Sequence, residues 1–91
     1  MNLEWDEEKR KRCLEDRGLD FADCAAVFAG PTSTFEDTRK CYGEVRCITI
    51  GMLDDEMILV VHTERTAATR IISMRKANER EKKAYAKTLV P

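Results

Sequence analysis

His62, the one histidine of the chain, stands just before Arg65, and Arg70 and Arg75 follow at equal intervals in "VVHTERTAATRIISMRKANERE". The residue types suit acid–base chemistry beside a bound anion. An imidazole titrates near neutrality and can take or give a proton. A guanidinium stays charged and sets paired hydrogen bonds on two phosphate oxygens. Proton transfer beside an anion needs a group that can take or give the proton and fixed cations to hold the charge. Each residue also has a plainer reading. His62 can be a core histidine satisfied by a neighbour, and the arginines can edge a sheet or pair with Glu44 and Glu64. Ser73 can bond a substrate oxygen or simply pack.

These side chains must be positioned by strands. "EVRCITIGML" and "EMILVVHTER" are two strong strand patterns joined across Asp54-Asp55 as a tight hairpin, and "TRIISMR" follows after "TAA". "TSTFEDT" is a weaker strand, and "LEW" a short one. Asp6 is placed to cap a helix over "DEEKRKRCLED" that stops at Gly18. A second helical segment, "DFADCAAVFAG", starts at Asp20 and stops at Gly30-Pro31. "KANEREKKAYAKTL" is helical by propensity. The expected fold class is therefore α+β: an antiparallel meander of about four strands, with N-terminal helices and a C-terminal helix.

With hairpin loops of two and four residues, Leu53 faces Glu56 and Arg65 faces Arg70. Alternation then puts Ile48, Ile50, Leu59, Val61, Ile72 and Met74 on one apolar face, continued by Glu44, Arg46, Thr63, Arg65 and Arg70. The other face carries Cys47, Thr49, Gly51, Ile58, Val60, His62, Glu64, Ile71, Ser73 and Arg75. On that register His62 lies between Cys47 and Ser73, and a histidine, a serine and an arginine converge on the less apolar face. Glu81 falls in the inward stripe of the last helix with Ala77, Ala84, Tyr85 and Leu89. A carboxylate there needs a cation, and Arg70 or Arg75 is in reach.

The bulk numbers frame this. Ninety-one residues, 43% hydrophobic and 36% charged, make one globular domain, 1–91. No apolar run approaches the ~20 residues of a membrane span. The charged N-terminus carries no signal peptide, so the expected compartment is the cytoplasm. Cys13, Cys24, Cys41 and Cys47 have neither zinc nor redox spacing and are expected as free thiols. No nucleotide, flavin or metal motif is present, so no cofactor is expected. Net charge is −1, but residues 1–37 hold 5 Lys/Arg against 10 Asp/Glu and residues 38–91 hold 11 against 7. The basic second part can present a local anion-binding surface.

The segments "WDEEKRKRCLEDRGLDFADCAAVF", "YGEVR", "VVHTER" and "RIISMRKANEREKKAY", in this order from Trp5 to Tyr85, resemble the BrnT toxins. The resemblance implies a fold similar to RelE ribonucleases and an endoribonuclease that inhibits translation and growth. It implies two partners: an RNA substrate and a cognate BrnA-like antitoxin, which leaves oligomeric state open, a heterotetramer being one arrangement. On the matching positions, His62, Arg65, Ser73 and Arg75 are the expected catalytic set. Arg46, Arg70 and Lys9 are the expected RNA contacts, and Glu81 and Tyr85 the supporting residues. The chain departs from the family pattern at Cys13, where Asn is usual, and at Asp16-Arg17, where Lys-His is usual. A rival expectation is an interaction module that binds an antitoxin through the basic sheet surface with weak or no nuclease activity.

Overall fold

The computed structural model describes residues 1–39 and 41–89. The chain runs β1 (Leu3–Trp5), α1 (Glu7–Arg17), a 3-10 turn (Phe21–Asp23), α2 (Cys24–Ala29), β2 (Ser33–Glu36), β3 (Cys47–Leu53), β4 (Glu56–Glu64), β5 (Thr69–Lys76) and α3 (Glu79–Tyr85), which ends in a 3-10 turn (Ala86–Leu89). The strands form one sheet in the order β1-β5-β4-β3-β2. The expected meander is there as β2 to β5. The sheet is nevertheless mixed, because "LEW" pairs in parallel with Thr69–Ile71 of β5.

Local chemistry sets the boundaries. The Asp6 carboxylate accepts from the amides of Glu8 and Lys9 to start α1, and Gly18 ends it at φ 67°, a conformation that is costly for a residue with a Cβ. Asp54 and Asp55 take positive φ of 49° and 65° and close the β3–β4 hairpin in two residues, with Leu53 opposite Glu56 as expected. Asn78 caps α3 by a reciprocal pair: its side chain accepts from the Glu81 amide, while the Glu81 carboxylate accepts from the Asn78 amide.

Both faces of the sheet are covered. α1 and α2 bury Cys24, Val27, Ile58, Val60, Ile71 and Met74 on one side. The C-terminal segment buries Ile48, Ile50, Leu59, Ala77 and Leu89 on the other, with Val61 and Tyr85 at the margin. The cysteines are free thiols, and burial pushes the Cys24 thiol up to about 12, which keeps it protonated against the Met74 sulfur.

The β4–β5 register corrects the one read from the sequence. His62 pairs with Ile71, not Ser73, and Thr63 rather than Arg65 pairs with Arg70. The Arg65 amide instead donates to the Ala68 carbonyl and closes the loop. A bulge then separates His62↔Ile71 from Val61↔Ser73. The extra residue, Ile72, reverses the side-chain parity of the rest of β5. Met74 consequently joins the face of Ile58 and Val60, and Arg75 pairs with Leu59 on the opposite one. Ile72 and Met74 do not share the layer of Ile48 and Leu59.

Gly51 lets α2 sit on β3. A Cβ there would lie 2.7 Å from Val27 Cγ1 and 3.1 Å from Thr32 Cγ2. Gly51→Ala is expected to destabilise the protein by about 1–3 kcal/mol through overpacking, read as a lower denaturation midpoint in urea.

Candidate functional site

Arg75 leaves β5 on the α3 face and forms a two-pronged bond to Glu81, with both N–H···O distances 2.8 Å. Glu81 Oε1 also accepts from the Asn78 amide at 2.9 Å, so the helix cap and the guanidinium hold the same carboxylate. Hydrogen bonds from Arg75 and that amide outweigh burial and hold the carboxyl at about 2. The bond to Glu81 in turn raises the Arg75 pKa. Of the two partners read for Glu81, the structure selects Arg75; Arg70 lies 3.4 Å from Glu4 on β1.

A second clamp faces the first. Beyond β2, the Asp37 carboxylate accepts from Arg39 Nε and Nη2, both at 2.9 Å, from the Arg39 amide and from the Tyr42 hydroxyl at 3.1 Å. These bonds, those of the Arg39 side chain above all, hold its carboxyl far below the usual range. The positive charge of Arg39 reaches Arg75. Between the clamps lies a groove of about 310 Å³ floored by Ile48 and Leu59 and walled by Phe35 and Tyr85. The two rings stack with centroids 6.0 Å apart. The groove thus offers guanidinium N–H groups beside aromatic surface, a combination suited to phosphate and base together.

Arg46 adjoins the second clamp, its carbonyl accepting from the Asp37 amide at 2.7 Å, and Arg65 joins it through Glu44. Glu44 lies between them, 3.7 Å from Arg46 Nε and 3.3 Å from Arg65 Nη2. The Arg46 guanidinium also lies 4.1 Å over the Tyr42 ring, which ties it to the Asp37 clamp. Lys9 and Ser73 line a different depression, between α1 and β5.

His62 is elsewhere. It sits beside Cys47 as read, but on the face that α1 and α2 cover, 4% exposed, with the Phe28 ring edge-on at 5.1 Å. Its Nε2 is 2.7 Å from Thr49 Oγ1, which is 2.7 Å from Thr34 Oγ1. Its Nδ1 is 3.4 Å from Glu64 Oε1 without hydrogen-bond geometry. Burial lowers its pKa against the opposing pull of Glu64, so the imidazole is neutral at pH 7. The expected convergence of His62, Ser73 and Arg75 is not formed: the bulge at Ile72 turns Arg75 to the other side of the sheet.

Sequence reasoning passed over Asp37, Arg39 and Phe35. "TSTFEDT" reads as a weak strand, and Asp37 and Arg39 carry no signal beyond an acid and an arginine two apart. That they come to line a groove with Arg75 is a tertiary fact. Among the described residues, no three His, Cys, Asp or Glu side chains are grouped to hold a metal ion, and no helix is long and apolar enough to cross a membrane.

Fold and groove together define a small α+β protein with arginines fixed by carboxylates on a sheet face, an arrangement suited to an anionic polymer. The chain belongs to the BrnT family: the family model described as "Ribonuclease toxin, BrnT, of type II toxin-antitoxin system" matches residues 5–81. A search of individual curated proteins finds no match. The family carries with it an antitoxin protein as partner.

Proposed function

We propose that this chain is a metal-independent endoribonuclease, neutralised by a cognate antitoxin, and that RNA is cleaved in the groove between β5, α3 and the Asp37 loop. The observation that carries the reading is the Arg75–Glu81 clamp. A guanidinium held through Nη1 and Nη2 by a capped carboxylate lines the groove with little freedom to lose, and its Nε and remaining Nη2 N–H are left for a phosphate. Arg75 and Arg39 neutralise the charge that develops on the scissile phosphate. Tyr85 and Phe35 offer ring surface to a base. Arg46 and Arg65 hold the strand on either side of Glu44. Glu81 is too weak a base at about 2 to take the 2′-hydroxyl proton; its work is to orient Arg75. The 2′-oxygen attacks phosphorus as its proton passes to water, and water protonates the departing 5′-oxygen, while the arginines carry the charge on the phosphate. His62 acts as a buried structural residue, and Ser73 and Lys9 lie outside the reacting centre.

The test is to incubate purified, antitoxin-free protein with RNA in the presence of a chelator. Cleavage that persists in chelator is expected, together with slowed growth of bacteria expressing the protein alone and relief by the antitoxin. Cleavage abolished by the chelator would remove metal independence. Intact RNA under all conditions would favour the second reading, an antitoxin-binding module without nuclease activity. One observation speaks for that reading: Arg39, Arg46, Arg65, Arg70 and Arg75 all have carboxylates within ion-pairing distance, so phosphate must share or displace these partners.

A further inference from the structure

Resting on RNA as the ligand, we propose that the depression between α1 and β5 is a second phosphate subsite, which holds the RNA strand after it crosses the sheet edge from Arg75. β1 pairs only with Thr69–Ile71, so it leaves the edge of β5 uncovered from Ile72 onward, beside α1. The space there is about 240 Å³, and Lys9, Arg12 and Arg17 line it against the single carboxylate of Asp16.

Lys9 and Arg12 are one helical turn apart and share a face of α1. Unlike the arginines of the other groove, neither has a carboxylate within ion-pairing distance among the described residues. Arg17 is anchored, because its Nη1 donates to the Met74 carbonyl at 2.8 Å, and its other N–H groups remain for a ligand. The Cys13 thiol donates to the same carbonyl at 3.4 Å from the floor of the depression.

Two features favour RNA over a peptide. The Met74 carbonyl, an outward acceptor of the open edge, is already occupied by Arg17 and Cys13, which obstructs addition of a further strand. Ser73 lines this depression, while Arg75 lines the cleavage groove. The two sites lie on opposite faces of β5, and the strand edge left open by β1 from Ile72 onward is the route by which one extended polyanion can pass from one to the other.

The experiment measures binding of a short single-stranded RNA across a salt series by the full-length protein and by Lys9→Ala/Arg12→Ala. Both substitutions are on an exposed helix face and favour helix. Each lost phosphate contact should flatten the slope of log affinity against log salt by about 0.7, so about 1.4 for the pair, with affinity down about tenfold at low salt. Arg17→Ala should add to the loss. An unchanged slope in the folded double variant overturns the subsite. Unchanged RNA binding with lost antitoxin binding also overturns it and makes the depression a protein-docking surface. The outcomes separate from those of the nuclease reading. If the wild type binds RNA and the variant loses slope, the subsite stands even where no RNA is cleaved. If the wild type cleaves and the variant keeps its slope, the subsite falls and the nuclease stands.

Discussion

Arg75→Lys is expected to lower RNA cleavage by about 10²-fold while the protein stays folded. A lysine keeps the charge but replaces a planar fork with a single ammonium. It cannot hold both Glu81 oxygens and still present a fixed donor to phosphate. Losing one oriented donor to a developing oxyanion costs about 10²–10³ in rate. Stability should change little. The side chains of the pair are 41% and 20% exposed, and a pair so placed contributes about 1 kcal/mol or less. Glu81→Gln separates orientation from charge. It leaves Arg75 charged and keeps an acceptor for the Asn78 amide, but loses the two-oxygen clamp, so a smaller loss of rate, about tenfold, is expected. Rates and unfolding midpoints for Arg75→Lys, Arg75→Ala and Glu81→Gln decide the matter. Wild-type rates in all three would place the reacting centre outside this groove.

Much of this architecture was legible in the residues. Asp6, Gly18, Asp54-Asp55 and the strand patterns act locally, through caps, turns and alternation, and local chemistry is what a sequence displays. The pairing of Glu81 with a sheet arginine was also readable, since a carboxylate in an apolar stripe requires a cation. What was hidden depends on one inserted residue. No propensity marks Ile72 as a bulge, yet it changes which face every later side chain of β5 occupies. Assigning Arg75 to the face of His62 followed from unbroken alternation, and the structure breaks the alternation between them. The parallel pairing of "LEW" and the approach of Asp37 and Arg39 to Arg75 are long-range contacts of the same kind. The alternation therefore joined Arg75 to His62, whereas the structure joins it to Glu81.

His62 supplies the second large effect, on stability instead of chemistry. His62→Ala is expected to cost about 2–4 kcal/mol, because it opens a cavity under Phe28 and removes the partner of Thr49. The pH dependence follows from burial. The imidazole pKa is lowered from its ordinary 6.5 in the folded protein, so the unfolded chain takes up a proton first as pH falls. Its contribution is complete above about pH 6.5 and is lost progressively below that, down to the folded pKa. The groups facing it do not confuse the window. Thr49, Thr34 and Phe28 do not titrate there, and Glu64 opposes the shift without reversing it. Glu81, depressed from 4.5 to about 2, stabilises the fold above about pH 4.5 and loses its contribution only below that. Urea unfolding between pH 7.5 and 5 should accordingly show stability falling as pH drops, by up to about 1.4 kcal/mol per unit. In His62→Phe, which keeps a ring but cannot titrate, that slope should vanish. RNA cleavage by the folded His62→Phe protein should remain within a few-fold of wild type. Loss of cleavage by about 10²-fold in a variant of unchanged fold would return the imidazole to the mechanism, and would mean that α2 moves off it when RNA binds.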